Sequence, residues 1–458
     1  MNKKSFLELI KLGYPLVLTS STFIIMLFMD RLFLSWYSQE TIAASVASST
    51  CSFTISAFFI GVANYVQTFI SQYYGAKRYK EIGKIIWQGM YFAVFAGIIL
   101  ISLLPITREI FTVSNHSAKV QELEKLYFTI LQFGMVISII GDVAMGFLSG
   151  RGKTKTVFLV VLSGVLVNGL LDYVMIFGYL GFPRLGIEGA GIATVCAISV
   201  RSILFICVLL RKKYREKYNI LKSYKFDKQL FKRLLRFGAP SGLQMLLDMG
   251  SFTIFVLLLG RLGDLELAVS NIALTINMIC FIPIGGIHWA TSILASQYIG
   301  KNDYVGASRI TFNSFVITAC YVGLIAFTFL IIPDFYLRLF EQNNGTDFGK
   351  ILEMGRMMLT LLGIYTFVNA IQFIFAATLK GAGDTRFTMM VSILSSWIFF
   401  VPMSYIFVEV LKLDIFWCWS LLATYVILKG IIIIIRYISG RWKHFDVIGR
   451  EEEIKLIA

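Results

Sequence analysis

Long apolar runs dominate this chain, and short polar segments separate them. A membrane-spanning helix needs about 20 mostly apolar residues. Twelve runs reach that length, so we predict spanning helices at about 13–36, 45–72, 85–105, 126–149, 155–178, 187–210, 237–260, 267–298, 311–333, 351–379, 387–410 and 415–436.

Several short motifs occur twice along the chain. Gly-Tyr-Pro at 13–15 returns as Gly-Ala-Pro at 238–240, and Ser-Gln-Tyr-Tyr-Gly at 71–75 returns as Ser-Gln-Tyr-Ile-Gly at 296–300, both 225 residues later. Gly-Arg-Gly-Lys-Thr-Lys at 150–155 returns as Gly-Ala-Gly-Asp-Thr-Arg at 381–386, 231 residues later. Two homologous halves of six spans predict an all-α integral membrane protein with twelve transmembrane helices in two pseudo-symmetric lobes. We place the N-lobe at residues 1–215 and the C-lobe at 216–458.

Composition and charge support a membrane protein. The chain is 57% apolar and 15% charged, whereas soluble domains carry about 25% charged residues. The six cysteines show no CxxC spacing, which argues against a disulfide framework or a zinc site. The net charge of +15 is concentrated in the terminal tails and the even-to-odd connections, so both termini are predicted to be cytoplasmic. The basic stretch 211–236 is predicted to lie along anionic headgroups rather than to bind nucleic acid.

Four carboxylic acids fall inside predicted spans, namely Asp30, Asp142, Asp172 and Asp248. A charge at the bilayer centre costs at least about 2.5–3.5 kcal/mol, so such acids are candidates for function. Asn168 lies one helical turn before Asp172, which puts a carboxamide and a carboxylate on one helix face. These oxygen ligands suit a proton or a hard cation such as Na⁺. An interhelical hydrogen bond that only stabilises the bundle would use the same pair.

The acids do not follow the sequence repeat. The shift of 225 residues pairs Asp30 with Phe255 and Asp248 with Phe23. Asymmetric charges on a symmetric scaffold are expected of a carrier whose halves perform different tasks. For Asp30 the alternative is a carboxylate solvated at the outer surface, and for Asp142 it is a bond to neighbouring backbone groups.

Three further features have a structural explanation beside a functional one. Pro15 and Pro240 either begin their helices or loosen them from inside, and helix discontinuity is one way to build a moving binding site. The glycine-rich run at 150–154 lacks the spacing of a phosphate-binding loop and predicts a tight turn. His288 lies in an apolar run, where a packing role is expected.

The order and spacing of these features resemble those of the multidrug and toxic compound extrusion (MATE) transporters over essentially the whole chain. The resemblance rests on twelve spans in two halves, Gly-x-Pro opening each half, Ser-Gln-Tyr-x-Gly closing spans two and eight, and Gly-x-Gly-x-Thr-Lys/Arg after spans four and ten. It implies a V-shaped pair of lobes that exchange organic cations for Na⁺ or H⁺.

The resemblance also implies a cation site in the N-lobe. Members of the family use an acid fifteen residues after the first proline, which is Asp30 here. They also use an Asn and an Asp one turn apart in helix five, matched by Asn168 and Asp172, and a Thr in helix six, matched by Thr194.

A second site is implied in the C-lobe. Other members carry an acid in helix seven, eight residues after its proline, and Asp248 matches it as the shorter acid where Glu is usual. Their further acid in helix ten is replaced here by Asn369. This departure weakens a cation site, so Asp248 and Asn369 are predicted to bind substrate or a second cation.

We therefore predict a secondary active antiporter that exports cationic or amphipathic organic compounds in exchange for H⁺ or Na⁺ by alternating access. Neutralisation of Asp30 and Asp172 by the incoming cation would disfavour bound substrate and bias the first helix between two shapes. The main alternative is a lipid-linked precursor flippase of the same superfamily, which would have a larger basic cavity. A passive channel fits the asymmetric acids less well.

An enzyme is not expected, because three histidines, His116, His288 and His444, provide no catalytic cluster. No cofactor is expected besides the coupling ion, H⁺ or Na⁺, and no metal site other than one for Na⁺. The expected partners are a small organic substrate and the lipid bilayer, and the protein is expected to be a monomer. Its expected location is the inner or plasma membrane of the cell.

Overall fold

The computed structural model describes residues 3–113, 116–341 and 348–449 of the chain. In these residues twelve helices are long and apolar enough to cross a membrane, which confirms the predicted spans. In chain order they are α1 Lys3–Tyr37, α2 Gln39–Gly75, α3 Tyr79–Thr107, α4 Ala118–Gly150, α5 Thr154–Phe177, α6 Ile187–Leu209, α7 Lys228–Leu259, α8 Asp264–Gly300, α9 Tyr304–Ile331, α10 Phe348–Ala382, α11 Thr385–Val410 and α12 Ile415–Ile438.

Most of these helices begin before the apolar runs that revealed them. Hydropathy detects only the stretch that lies in the membrane, whereas capping residues fix the helix start in the polar layer. Asp227 caps α7, because its carboxylate accepts a hydrogen bond from the backbone N–H of Leu230 at 3.0 Å. Ser38 caps α2 in the same way through the N–H of Thr41 at 3.2 Å.

Both repeated prolines lie inside their helices, about three turns after the start. Of the two alternatives for Pro15 and Pro240, a simple helix start is therefore excluded. In α1 the proline is followed by hydroxyl side chains that bond back to the preceding turn. Thr19 donates to the carbonyl of Pro15 at 2.7 Å, and Ser20 and Ser21 bond their i−4 carbonyls at 3.1 and 3.0 Å. Proline and such hydrogen bonds to the preceding turn both favour helix bending, so α1 is predisposed to bend near Pro15.

Helix α11 is irregular where it faces α7. It contains two π-helical stretches, Ile393–Phe400 and Ile406–Val410, on either side of Pro402. The indole N–H of Trp397 donates to the carbonyl of Leu247 at 3.0 Å. This contact fixes α11 beside the part of α7 that carries Asp248.

Helices α1–α6 and α7–α12 form two lobes with equivalent packing. In the N-lobe α4 packs between α2 and α6, and in the C-lobe α10 packs between α8 and α12. The linker packs on the N-lobe, since the Trp87 indole donates to the carbonyl of Ile220 at 2.7 Å. The boundary that we placed between residues 215 and 216 falls inside a short linker helix, Lys212–Lys217.

Within the described residues, the main contacts between the two lobes lie in the half of the bundle that carries both chain termini. There α1 packs on α8, and α2 packs on α7 and α8, through hydrophobic clusters that contain residues of both lobes. At the other end each cluster belongs to one lobe: Leu34 and Tyr127 lie in an N-lobe cluster, and Phe255 and Trp419 in a C-lobe cluster. A cleft between the lobes therefore opens at the end away from the termini.

The repeated motifs meet across this closed end. The side-chain amide of Gln72 donates to the carbonyl of Gly381, and that of Gln297 donates to the carbonyl of Gly150, both at 2.8 Å. Each Ser-Gln-Tyr motif thus bonds to the glycine-rich turn of the opposite lobe. This reciprocity explains why both motifs occur twice.

The C-terminal segment adds a further contact at the closed end. Val447 and Ile448 are buried in the cluster that joins the lobes. The guanidinium of Arg78, in the turn after α2, donates to the carbonyl of Ile448 at 3.2 Å. The chain after α12 therefore binds both lobes.

Candidate functional site

The predicted cation residues of the N-lobe come together between α1, α5 and α6. Asp30 lies two turns before the end of α1, Asn168 and Asp172 lie one turn apart on α5, and Thr194 lies near the start of α6. All four side chains are buried. The alternative of a carboxylate solvated at the membrane surface is thus excluded for Asp30, which is only 7% exposed.

A glycine allows α1 and α5 to approach at this point. A Cβ atom at Gly169 would overlap the side chain of Met29, which directly precedes Asp30. The missing side chain lets Met29 fill the space beside Asn168. The two helices can then place their acids next to each other.

Among the described residues, the acids interact with one another and not with a buried base. The Asp30 carboxyl group interacts with both Asp172 and Asn168, and the Tyr127 phenol lies beside Thr194. The base that acts on Asp30 is its neighbour in sequence, the exposed Arg31. Two adjacent carboxylates repel each other when both are charged, so the pair favours uptake of a proton or a cation.

Several oxygen atoms in this cluster lack a hydrogen bond of regular geometry in the described chain. They are Oδ1 of Asp30, Oδ1 of Asn168, both carboxylate oxygens of Asp172 and Oγ1 of Thr194. Buried polar atoms are normally paired, so an unpaired set calls for an explanation. Carboxylate, amide and hydroxyl oxygens are ligands of hard cations, and a carboxylate pair can equally hold a proton. The donor set thus fits either H⁺ or Na⁺.

Asp142 has a different environment. Its carboxylate lies 3.6 Å from the guanidinium of Arg201 on α6, which also donates to the Ser138 hydroxyl at 2.8 Å. This ion pair joins α4 to α6 inside the N-lobe. The structure gives Asp142 a partner in a neighbouring helix instead of the backbone bond that we considered.

In the C-lobe, Asp248 forms an ion pair with a lysine of α12. The ammonium of Lys429 lies 2.8 Å from Oδ1 of Asp248 and donates to the Tyr425 hydroxyl at 3.2 Å. Gln244 donates to the other carboxylate oxygen at 3.4 Å. Lys429 is only 6% exposed, and within the described chain its ion-pair partner is Asp248.

Asn369 lies one turn after Tyr365 on α10 and donates to its hydroxyl at 3.3 Å. Tyr365 in turn interacts electrostatically with Lys429 and Tyr425. The structure therefore places Asn369 in the same polar region as Asp248. Whether this region binds substrate or a second cation stays a prediction.

The sequence analysis assigned neither lysine of this region, Lys429 or Lys380, to a site. We predicted that the tenth span ends at residue 379, whereas α10 continues to Ala382 and carries Lys380 in its last turn. The half-buried Lys380 ammonium interacts with Asp248, Lys429 and His288. His288 binds the carbonyl of Phe373 through Nδ1 at 2.8 Å, as expected of a packing residue.

Two homologous six-helix lobes around a cleft, with a buried acid cluster in one lobe, are the architecture of a membrane transport protein. The sequence profile of the MatE family matches residues 15–174 and 240–406, one match in each lobe. The chain therefore belongs to the MatE family, which confirms the resemblance seen in the sequence.

Known proteins similar to the chain agree with this assignment. The probable multidrug resistance protein NorM of Thermotoga maritima is 25% identical over 451 residues, which cover 97% of this chain and 94% of the relative. A MOP superfamily transporter from Pyrococcus furiosus, described by the reverse polarity of its binding pocket, superposes with a TM-score of 0.85 at 21% identity, over 96% of this chain and 97% of that one. A multidrug resistance MATE family transporter in an outward-facing conformation superposes with a TM-score of 0.84 at 20% identity, over 95% and 97%.

Proposed function

We propose that this protein is a secondary active antiporter that exports organic compounds in exchange for H⁺ or Na⁺ by alternating access. The observation that carries the proposal is the buried pair of Asp30 and Asp172. In the part of the chain that the structure describes, this pair lies in one lobe only and has no buried base beside it. The names of its relatives, which are multidrug resistance proteins, support export of organic compounds.

The acid pair links cation binding to the shape of the protein through α1. Removal of the bound cation would leave two repelling charges on α1 and α5, and its return would draw these helices together. Helix α1 also packs on α8 of the opposite lobe and is predisposed to bend near Pro15. Cation binding at Asp30 can therefore bias a helix that forms part of the closed end. Coupling requires only that the cation prefer one of the two shapes.

The distribution of basic residues supports cytoplasmic chain termini. With that orientation, the closed end of the bundle is cytoplasmic and the cleft opens to the outside. The similarity to a transporter in an outward-facing conformation agrees with this assignment. In such a state substrate can leave and the coupling cation can enter.

The flippase alternative is not favoured. The relatives are multidrug resistance proteins, and the described interior of the C-lobe has only two lysines, one of which is already paired with Asp248. A lipid-linked diphosphate carries more negative charge than one surplus lysine can balance. A small organic molecule fits this charge balance better.

Transport by the purified protein in lipid vesicles tests the proposal. A fluorescent organic dye such as ethidium is supplied, and a Na⁺ gradient and a pH gradient are applied separately. One of the two gradients should drive uphill movement of the dye. Asp30→Asn and Asp172→Asn should abolish the gradient-driven component, because each removes a charge that the cation neutralises.

A matched control is Glu122→Gln, which removes an exposed carboxylate from the first turns of α4. This variant should transport as the wild type does. If folded, membrane-inserted Asp30→Asn and Asp172→Asn proteins pump normally, the acid pair does not couple transport. If neither gradient drives the dye in the wild type, the antiport proposal itself is wrong.

A further inference from the structure

The interior of the C-lobe contains more positive than negative charge. Asp248, Lys429 and Lys380 lie on α7, α12 and α10, and the Lys380 ammonium interacts with both of the others. In the part of the chain that the structure describes, Lys429 is paired with Asp248 at 2.8 Å and Lys380 forms no ion pair of its own. Two ammonium groups therefore share one carboxylate.

Such an imbalance is unfavourable at membrane depth. A lysine inside a membrane protein normally pairs with an acid or a carbonyl group, because an isolated charge at that depth is strongly unfavourable. Asp248 already accepts from Lys429 and from Gln244 at 3.4 Å. The remaining charge of Lys380 is available to a negatively charged group of a ligand.

Lys380 lies at the closed end, next to the opposite lobe. Its backbone carbonyl accepts a hydrogen bond from the Tyr65 hydroxyl of α2 at 2.9 Å, so the residue lies where the two lobes meet. Long side chains on a helix point back towards its N-terminus. For Lys380 this direction leads away from the closed end, towards Lys429 and Asp248 in the middle of their helices. The ammonium group thus extends from the closed end towards the acid and the lysine with which it interacts.

We propose that Lys380, supported by Lys429, forms a subsite for an anionic group of the transported molecule, such as a carboxylate or a sulfonate. The inference rests on the proposed function of the cleft as the transport path. It specifies the substrate as an amphipathic zwitterion or monoanion, in place of the simple organic cation that the acids in the sequence favoured. A single surplus charge matches a single carboxylate.

Two dyes that differ in one charge test this subsite. Rhodamine 110 carries a free carboxylate, and rhodamine 123 is its methyl ester and therefore a cation. Binding of each dye to the full-length protein in detergent is measured by fluorescence anisotropy, without any ion gradient. Rhodamine 110 should bind more tightly than rhodamine 123. Lys380→Gln should weaken rhodamine 110 by about tenfold, since a hydrogen bond to a charged group is lost, and should leave rhodamine 123 unchanged.

Two control variants isolate the charge. Lys380→Arg retains the positive charge and should keep most of the preference for rhodamine 110. Lys153→Gln changes an exposed lysine in the equivalent turn of the N-lobe and should have no effect. An equal loss for both dyes, or no loss with Lys380→Gln, would overturn the proposal. Because binding needs no gradient, this result is independent of whether H⁺ or Na⁺ drives transport.

Discussion

Two glycines at the closed end should control the equilibrium between the two conformations. A Cβ atom at Gly75 would lie against the carbonyl group of Gln297, only 2.8 Å from its carbon atom. A Cβ atom at Gly300 would lie against the carbonyl group of Gln72, 2.9 Å from its carbon atom. The two contacts are equivalent in the repeat. We therefore predict that Gly75→Ala and Gly300→Ala each destabilise the closed end, and do so to a similar extent.

The size of the effect follows from the geometry. Both distances are shorter than 3.0 Å, and real Cβ atoms essentially never come that close to another atom. The opposing atoms belong to the backbone, which cannot rotate away as a side chain can. Overpacking of this kind costs about 1–3 kcal/mol. Because the clash exists only while the lobes touch at this end, the whole cost falls on one conformation. The equilibrium should then shift by a factor of roughly 5 to 150.

The shift is measured as a distance between the lobes. Lys80 and Val305 are equivalent in the repeat, are exposed and lie in the first turns of α3 and α9. Spin labels on cysteines at these two positions, in a background without the six native cysteines, report the separation by double electron–electron resonance. Both glycine variants should increase the population at longer distances.

Gly349→Ala provides the control, since a Cβ atom there would meet nothing within 4 Å. Its distance distribution should match that of the parent protein. If Gly75→Ala and Gly300→Ala fold and also leave the distribution unchanged, the closed end does not depend on these contacts, and the assignment of the two conformations is wrong.

Three further variants test the ion pairs and the lobe interface. Asp248→Asn should lower stability in detergent by less than the roughly 3–5 kcal/mol lost when a fully buried pair is broken, since the Asp248 side chain is 34% exposed. Adding Lys429→Gln to Asp248→Asn should restore most of the loss. Equal stability of the single and double variants would contradict the pairing. Arg436→Lys should lower the melting temperature by differential scanning fluorimetry, because lysine cannot replace the guanidinium that holds Asp384 at 2.7 and 3.2 Å; an unchanged temperature would show that the bidentate geometry is unimportant. Gln72→Leu should also increase the population at longer distances between the same spin labels. The increase should be smaller than in the glycine variants, since only one hydrogen bond of about 0.5–1.5 kcal/mol is lost. A larger increase than in Gly75→Ala and Gly300→Ala would contradict this ranking.

The spans and the two lobes could be predicted from sequence because they depend on local properties. Hydropathy reports each helix separately, and the repeat reports the shared scaffold. The spacing of Asn168 and Asp172 likewise needs only the helical period. That Asp30 lies beside them followed from the family resemblance, since nothing local relates α1 to α5.

The C-lobe site could not be predicted in this way. The pairing of Asp248 with Lys429 joins residues that are 181 positions apart, and it depends on how α7 packs against α12. Lys380 was missed because charged residues end an apolar run, although the helix itself continues for most of another turn. For the same reason, hydropathy would place any functional lysine in the last turn of a spanning helix outside the predicted span.

The repeat and its exceptions have a common physical cause. Closure of one end requires that each lobe present the same amide and glycine contacts to the other, so Gln72 and Gln297 occupy equivalent positions. The lobe interiors, as far as the structure describes them, make no such mutual contacts and are free to differ. One interior has surplus acid at Asp30 and Asp172, and the other has surplus base at Lys380. A molecule with both a positive and a negative group would meet opposite charges in the two lobes. Neutralisation of the acids by the coupling cation would then weaken the binding of its positive group only.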